Sequence, residues 1–410
     1  MVTRRGFIKQ SLQSMAVVSL GLGVPNVFAK AAVAASNENS AGVGRTLIVV
    51  QLAGGVDGLN TVIPYSDPLY QTSRPQLAIA ESEMLVIDDR VAFNPALQGL
   101  RQLFDAGQLA VVEGVGYPNP SFSHFKAMDI WQSADPDAKA RDGWLGRYFD
   151  GLVDAGGHPL SGLSYGRSLP SAFESSVATI PSVGSLETFA LAGPQSRAES
   201  LVQMYDLYRP AGSPFAALLD STLDNALDSS AQLAAAHASY TPAVEYPQSS
   251  LASGLTLMAE LIDSGGGQTP LRVGHVVLGG FDTHTQQDSR LDPLLVETSE
   301  AISAFWQDIV AHGHGEDVLI VTWSEFGRRV PENAQLGTDH GAAAPMFLIG
   351  GKVKGGFYGE PPDLDDLDDG NLRYSVDFRS VYSTVLEGWL EAPAAEILGG
   401  NFDQLDFLAV

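Results

Sequence analysis

The sequence predicts an α/β fold: a doubly wound, mostly parallel sheet with helices on both faces and a mainly helical insertion. Five short apolar runs rich in Val, Ile and Leu read as buried strands, and segments with helical periodicity lie between them. Several of these runs border Gly-rich turns that carry Asp, Glu, His or Ser, and open sheets of this kind collect their chemistry outside the carboxyl ends of the strands.

In chain order, the first run is Thr46–Leu52 (TLIVVQL), which ends at Ala53-Gly54-Gly55 and opens into a loop carrying Asp57. A helical pattern covers Ala96–Ala106, followed by the run Leu109–Val112. The stretch from about 155 to 265 differs: it is rich in Ala, Ser and Leu, has a long helical stretch near Ala198–Ala236, and reads as an insertion or cap on the core. Strands resume at Val273–Leu278. Leu291–His312 then places Leu291, Leu294, Leu295, Thr298, Ile302, Phe305 and Ile309 on one helical face. Val318–Thr322 and Met346–Ile349 complete the set, and strands alternating with such helices imply a parallel sheet covered on both sides. Residues 45–410 are therefore read as one domain.

Composition narrows the function. Of 410 residues, 45% are apolar and 17% charged, which excludes wholesale disorder. Lys and Arg total 23 against 48 Asp and Glu, and a net charge of −25 argues against sequence-independent binding to nucleic acid. The chain has no cysteine, so disulfides, thiolate nucleophiles and iron–sulfur clusters are excluded and any metal must be held by oxygen and nitrogen.

The amino terminus, Thr3-Arg4-Arg5-Gly6-Phe7-Ile8-Lys9 and a mildly apolar stretch from Met15 to Phe28, resembles a twin-arginine export signal. Small-residue cleavage sites follow at Ala29 or Ala34, and Gly21, Gly23 and Pro25 break the run too much for a permanent membrane span. Residues 1–34 are thus expected to be removed, with 35–44 as a polar linker. Removal takes away Arg4, Arg5, Lys9 and Lys30 and no acid, carrying the charge from −25 to −29. The resemblance implies the twin-arginine translocation machinery as a partner and a periplasmic or extracellular location. That route carries folded proteins, often already loaded with a metal or cofactor.

Four constellations sit beside predicted strands: Asp57 in GGVDGLN, Asp282 and His284 in GGFDTH, Ser324 and Glu325 in WSEFGRR, and Asp339 and His340 in GTDHG. An Asp in a Gly-rich turn can simply bond its own backbone. Their recurrence at strand ends points instead to a shared site, and the residue types suit one or two divalent ions, with zinc, manganese, magnesium and calcium all chemically possible. Arg328, near Glu325, has the chemistry to bind an anionic substrate or to serve as an ion-pair partner.

The ordered motifs GGVDGLNTVIPY, GVGYPNPSFSHFKAMDIWQSA, GWLGRY, GGFDTHTQQ, SEFGRRVPENAQLGTDHG and GGKVKGGFYG resemble the bacterial family called domain of unknown function 1501, over nearly the whole mature chain. That family resembles in turn the alkaline-phosphatase, sulfatase and phosphoglycerate-mutase superfamily, which implies an alkaline-phosphatase-like sheet, a two-metal site and a Ser, Thr or formylglycine nucleophile. The resemblance implies Asp57 as a carboxylate of one metal, Asp282 with His284 as a ligand pair, and His340 as the last imidazole. Glu325 stands where relatives have Asp-His, so this chain offers one nitrogen ligand fewer. Ser121 and Ser123, beside His124, lie where the superfamily places its nucleophile; Ser123 is equally placed to cap the helical stretch His124–Ser133. No Ser occupies the formylglycine sulfatase pattern.

The expected activity is hydrolysis of a small anionic ester, phosphate or related, through metal-assisted attack by serine or water. The alternative is a non-catalytic cell-envelope protein that keeps the fold for binding or assembly. A lesser one is a serine esterase built on Gly162-Leu163-Ser164-Tyr165-Gly166, with Asp282 and His340 following in triad order. The acidic stretch Asp363–Asp369 lacks the ligand spacing of an EF-hand and reads as a solvated loop.

Overall fold

The structure is a computed structural model that describes residues 44–137, 139–154, 159–184, 229, 232–264 and 271–409. The expected export signal, nearly all of the linker and most of the helical stretch near Ala198–Ala236 lie outside the described residues.

Among the described residues nine strands form the central sheet: β1 (Thr46–Ala53), β2 (Leu109–Gly116), β3 (Gly162–Tyr165), β4 (Ser182–Val183), β5 (Val273–Gly279), β6 (Val318–Trp323), β7 (Ala344–Gly350), β8 (Gly356–Tyr358) and β9 (Val376–Asp377). Across the sheet the order is β8, β2, β7, β6, β1, β5, β3, β4, with β9 also pairing with β2. Every pairing is parallel except those of β7, which runs against both β6 and β2. The fold is thus α/β with a mostly parallel sheet, as the strand and helix pattern predicts. All five apolar runs are strands, most with ends extended by backbone pairing; β2 continues past Val112 because Val115 and Gly116 pair with β9.

The helices used below are α1 (Gln98–Asp105), α2 (His124–Ser133), α3 (Trp144–Asp154), α4 (Ser250–Ser264), α5 (Gln287–Ala311) and α6 (Phe378–Thr384). Alternation along β1 divides the core between the faces of the sheet. Ile48, Val50 and Leu52 join a cluster with Leu100 of α1, Met258 of α4 and Phe305 of α5. Leu47 and Val49 join one with Trp131 of α2, Phe149 of α3 and Phe378 of α6. Both faces of the buried central strand are therefore covered, which explains its continuous apolar composition.

Within the segment read as an insertion, the described residues contribute β3, β4 and α4 to the core itself. Val273 of β5 pairs with both β1 and β3, so this stretch extends the sheet on the far side of β5. No helix among the described residues is long and apolar enough to cross a membrane.

Candidate metal centre

The loops that follow β1 and β5 meet at one edge of the sheet. Gly54 has φ +126°, and a Cβ there would lie 2.4 Å from the Asp282 amide nitrogen, so only glycine lets the first loop reach the second. A two-stranded ladder, Gly327–Arg328 with His340–Gly341, fixes His340 beside them. His124, the first residue of α2, completes the group.

Asp282 is the hub. Its Oδ1 lies 3.2 Å from His340 Nε2 and 3.2 Å from His284 Nε2, and its Oδ2 lies 3.6 Å from His124 Nε2. The Nε2 atoms of His284 and His340 are 2.9 Å apart. Each imidazole is held from outside by an acceptor at Nδ1: Glu325 Oε1 at 2.7 Å for His124, Asp339 Oδ1 at 3.2 Å for His284, and the Phe122 carbonyl at 2.7 Å for His340. Nδ1 in each ring therefore donates outward, and in the neutral form Nε2 offers a lone pair inward.

Three inward lone pairs facing a carboxylate repel one another unless positive charge sits among them. A shared proton relieves one contact; a divalent cation relieves all of them. Zinc bonds of about 2.0–2.1 Å in a tetrahedron put ligand atoms roughly 3.4 Å apart; ligand atoms of His124, Asp282 and His340, one from each, lie within 4.8 Å of one another, and His284 Nε2 stands 3.2 Å from Asp282 and 2.9 Å from His340. An acceptor behind each imidazole is the arrangement that orients histidine ligands. The residues present fit a divalent metal.

Electrostatics agrees. Burial raises the Asp282 carboxyl, but hydrogen bonds from Arg328 and His340 and the charges of Arg328 and His284 outweigh it and hold it down at about 2. Burial lowers His340, helped by the charges of Arg328 and His124 and opposed by its bonds to Phe122 and Asp282; the net is a downward shift that favours the neutral, ligating form. At Asp339 burial again pulls upward, and the bonds from Asn333 and His284 prevail, lowering it.

The sequence-expected residues divide into those in the cage and those that serve it. Asp282, His284 and His340 converge, and His124, expected beside the nucleophile, joins them as a potential ligand. Asp339 and Glu325, expected as ligands, stand behind His284 and His124; Glu325 is fully buried and also accepts the Gly54 amide at 2.9 Å. Ser324 Oγ donates to the Leu52 carbonyl at 2.6 Å and accepts the Val56 amide at 3.0 Å.

Asp57 lies outside the cage. It caps the short helix Gly58–Thr61, its Oδ2 accepts Arg74 Nη1 at 2.6 Å and the Gln287 amide, and its Oδ1 accepts the Leu59 amide at 3.2 Å. Arg328, expected to bind substrate, is buried and spends its donors on the carbonyls of Gly54, Gly55, Phe281 and Thr338 and on Asp282 Oδ1 at 2.7 Å. It is a structural anchor for the hub.

Ser123 occupies the cap position of α2 and is exposed, but its hydroxyl makes no capping bond. Ser121 Oγ accepts the Ser123 amide at 3.3 Å, and the Ser121 amide donates to the Tyr117 hydroxyl at 2.9 Å, so Ser121 shapes the turn before the helix. Ser164 is buried inside β3, its amide bonded to the Pro181 carbonyl. A strand interior is not the strand–turn–helix elbow a serine esterase requires.

Sequence reading missed Arg74 and Gln287. Neither has a local signal, because each reaches Asp57 from a different element.

A family model described as "Protein of unknown function (DUF1501)" matches residues 110–389. Among solved structures, the chain is similar to the PsFucS1 sulfatase from Pseudoalteromonas sp., at 12% identity over 93% of this chain and 75% of that one, with a TM-score of 0.40. It is similar to a protein in the alkaline phosphatase superfamily from Vibrio parahaemolyticus, at 7% identity over 82% of this chain and 71% of that one, TM-score 0.38. A third is the zinc complex of the C-terminal periplasmic domain of EcEptC from Escherichia coli, at 11% identity over 77% and 74%, TM-score 0.36. No curated protein matches.

Proposed function

The chain belongs to the DUF1501 family, and from its site geometry we propose that it is an exported, metal-dependent hydrolase of phosphate or related esters. One observation carries this reading: three imidazoles, each fixed from behind, turn their Nε2 atoms toward a single ionised carboxylate.

His124, His284, His340 and Asp282 would hold the ion. When bound there, a divalent cation supplies Lewis acidity toward an ester oxygen and offsets the acidity of the protein. Glu325, Asp339 and the Phe122 carbonyl keep the imidazoles aimed, and Arg328 holds the Asp282 carboxylate in place. Ser123, whose hydroxyl makes no capping bond at the start of the ten-residue helix α2 and which adjoins His124, would be the group that attacks or that orients an attacking water. The amides of that first turn favour a bound anion. Export through the twin-arginine machinery, with cleavage after Ala29 or Ala34, belongs to the same proposal.

The test is metal analysis of the purified protein together with hydrolysis of a panel of aryl phosphate and sulfate esters. The reading expects bound metal, activity lost on chelation and restored by metal, and loss of activity in folded His340→Ala. A second reading is a non-catalytic envelope protein, favoured by the guanidinium already bonded to Asp282. Folded, metal-free protein inert on the whole panel would establish that alternative.

A further inference from the structure

Two carboxylates from loops at strand ends, Asp57 and Asp282, are potential anchors for cations, but their surroundings differ. Asp282 also accepts a guanidinium, Arg328 at 2.7 Å, but 45% of its side chain is exposed, so solvent screens that charge, and it faces imidazole nitrogens. Asp57 and Arg74 are both fully buried and bonded to each other at 2.6 Å. The rest of the Arg74 guanidinium is committed to Asn60 Oδ1 at 2.8 Å and to the carbonyls of Val330 at 2.8 Å and Arg329 at 3.0 Å. Asp57 receives two further donors, from Gln287 and Leu59. A divalent ion at Asp57 would have to enter a buried site beside a fixed guanidinium, where repulsion between like charges is poorly screened. Glu325 offers no second anchor, since its oxygens already serve the Gly54 amide and the His124 ring.

We infer that the chain binds one divalent cation per molecule, in the cage of His124, His284, His340 and Asp282, and that Arg74 occupies the place at Asp57 which a second cation would need. The inference rests on the hydrolase reading and narrows it from one or two ions to one. The buried guanidinium supplies a fixed positive charge next to Asp57, so the loop after β1 is neutralised without metal.

The test is zinc stoichiometry, read independently of activity. The full chain is stripped with chelator, titrated with zinc against a chromophoric competitor, and checked by elemental analysis. One zinc per chain is expected at saturation. Asp57→Asn should retain that one ion, while His284→Ala and His340→Ala should each weaken it at least about tenfold, at the scale on which ligand-shell changes act. Two ions per chain, or loss of an ion in folded Asp57→Asn, would overturn the inference. If Asp57→Asn does not fold, the wild-type stoichiometry decides alone. The outcomes separate the two claims: two ions with ester hydrolysis leaves the hydrolase reading standing and ends this one. One ion without hydrolysis does the reverse, and no ion at all ends both.

Discussion

His275 should make the protein acid-labile in a way one substitution removes. It lies mid-strand in β5, 1% exposed, with neither ring nitrogen hydrogen-bonded among the described residues and the Phe173 ring edge-on at 5.9 Å. Burial alone pushes it from 6.5 down to about 3. Above pH 6.5 the ring is neutral in folded and unfolded chains, so it contributes no pH dependence. As pH falls from 6.5 toward 3, the unfolded chain takes up a proton that the folded one refuses, and stability drops. At ~1.36 kcal/mol per pH unit the full span amounts to about 5 kcal/mol, and by pH 5 about 2 kcal/mol is already lost. That is a large part of a typical stability of about 5–15 kcal/mol. His275→Leu fills similar space without a titratable ring. Urea unfolding followed by circular dichroism at intervals from pH 7.5 to pH 5 gives the comparison, and carboxylates common to both proteins cancel in the difference. The variant should gain on wild type steadily below pH 6.5, by about 2 kcal/mol at pH 5. Parallel stability curves would refute the reasoning, because they would mean the folded protein protonates His275 as readily as the unfolded chain.

Three further outcomes follow from contacts. Arg74→Met strands the buried Asp57 carboxylate and should cost about 3–5 kcal/mol, seen as a lower thermal midpoint; Asp57→Leu in the same chain should recover much of it. Gly337→Ala would put a Cβ 2.2 Å from the His284 carbonyl group; the loop carrying that imidazole must shift, so zinc affinity should fall while the far-ultraviolet spectrum stays as it was. Ser164→Ala removes a hydroxyl from inside β3 and should leave ester hydrolysis within about twofold, as for substitutions away from a reacting centre; a thousandfold loss would restore the nucleophile-elbow reading.

What could be read in advance depended on whether the signal is local. Val, Ile and Leu runs at β1, β2, β5, β6 and β7 are long enough to declare buried strands, and α5 declares itself by its periodicity. β3, β4, β8 and β9 have two to four residues each, too few for any pattern, and the GLSY of β3 happens to fall within a hydrolase motif. The site follows the same rule. Asp282, His284, Asp339 and His340 stand in Gly-rich turns near strand ends, so they were legible as a set. Asp57 carries the same mark, yet it pairs with Arg74, the capping residue of the helix Pro68–Ser73, and with Gln287 at the start of α5. Nothing near Asp57 in sequence announces either partner. Local pattern thus shows which carboxylates are presented at the edge of the sheet, whereas the cation each one meets is set by side chains delivered from distant elements. Arg328 makes the point from the opposite direction: its place near Glu325 suggested a substrate ligand, but four carbonyls from three separate loops claim its N–H groups and turn it into the post that holds Asp282. The two arginines are alike in burial and charge and differ in the carboxylate they hold: Asp57 is fully buried with donors closed around it, whereas Asp282 keeps 45% of its side chain exposed and faces imidazole nitrogens.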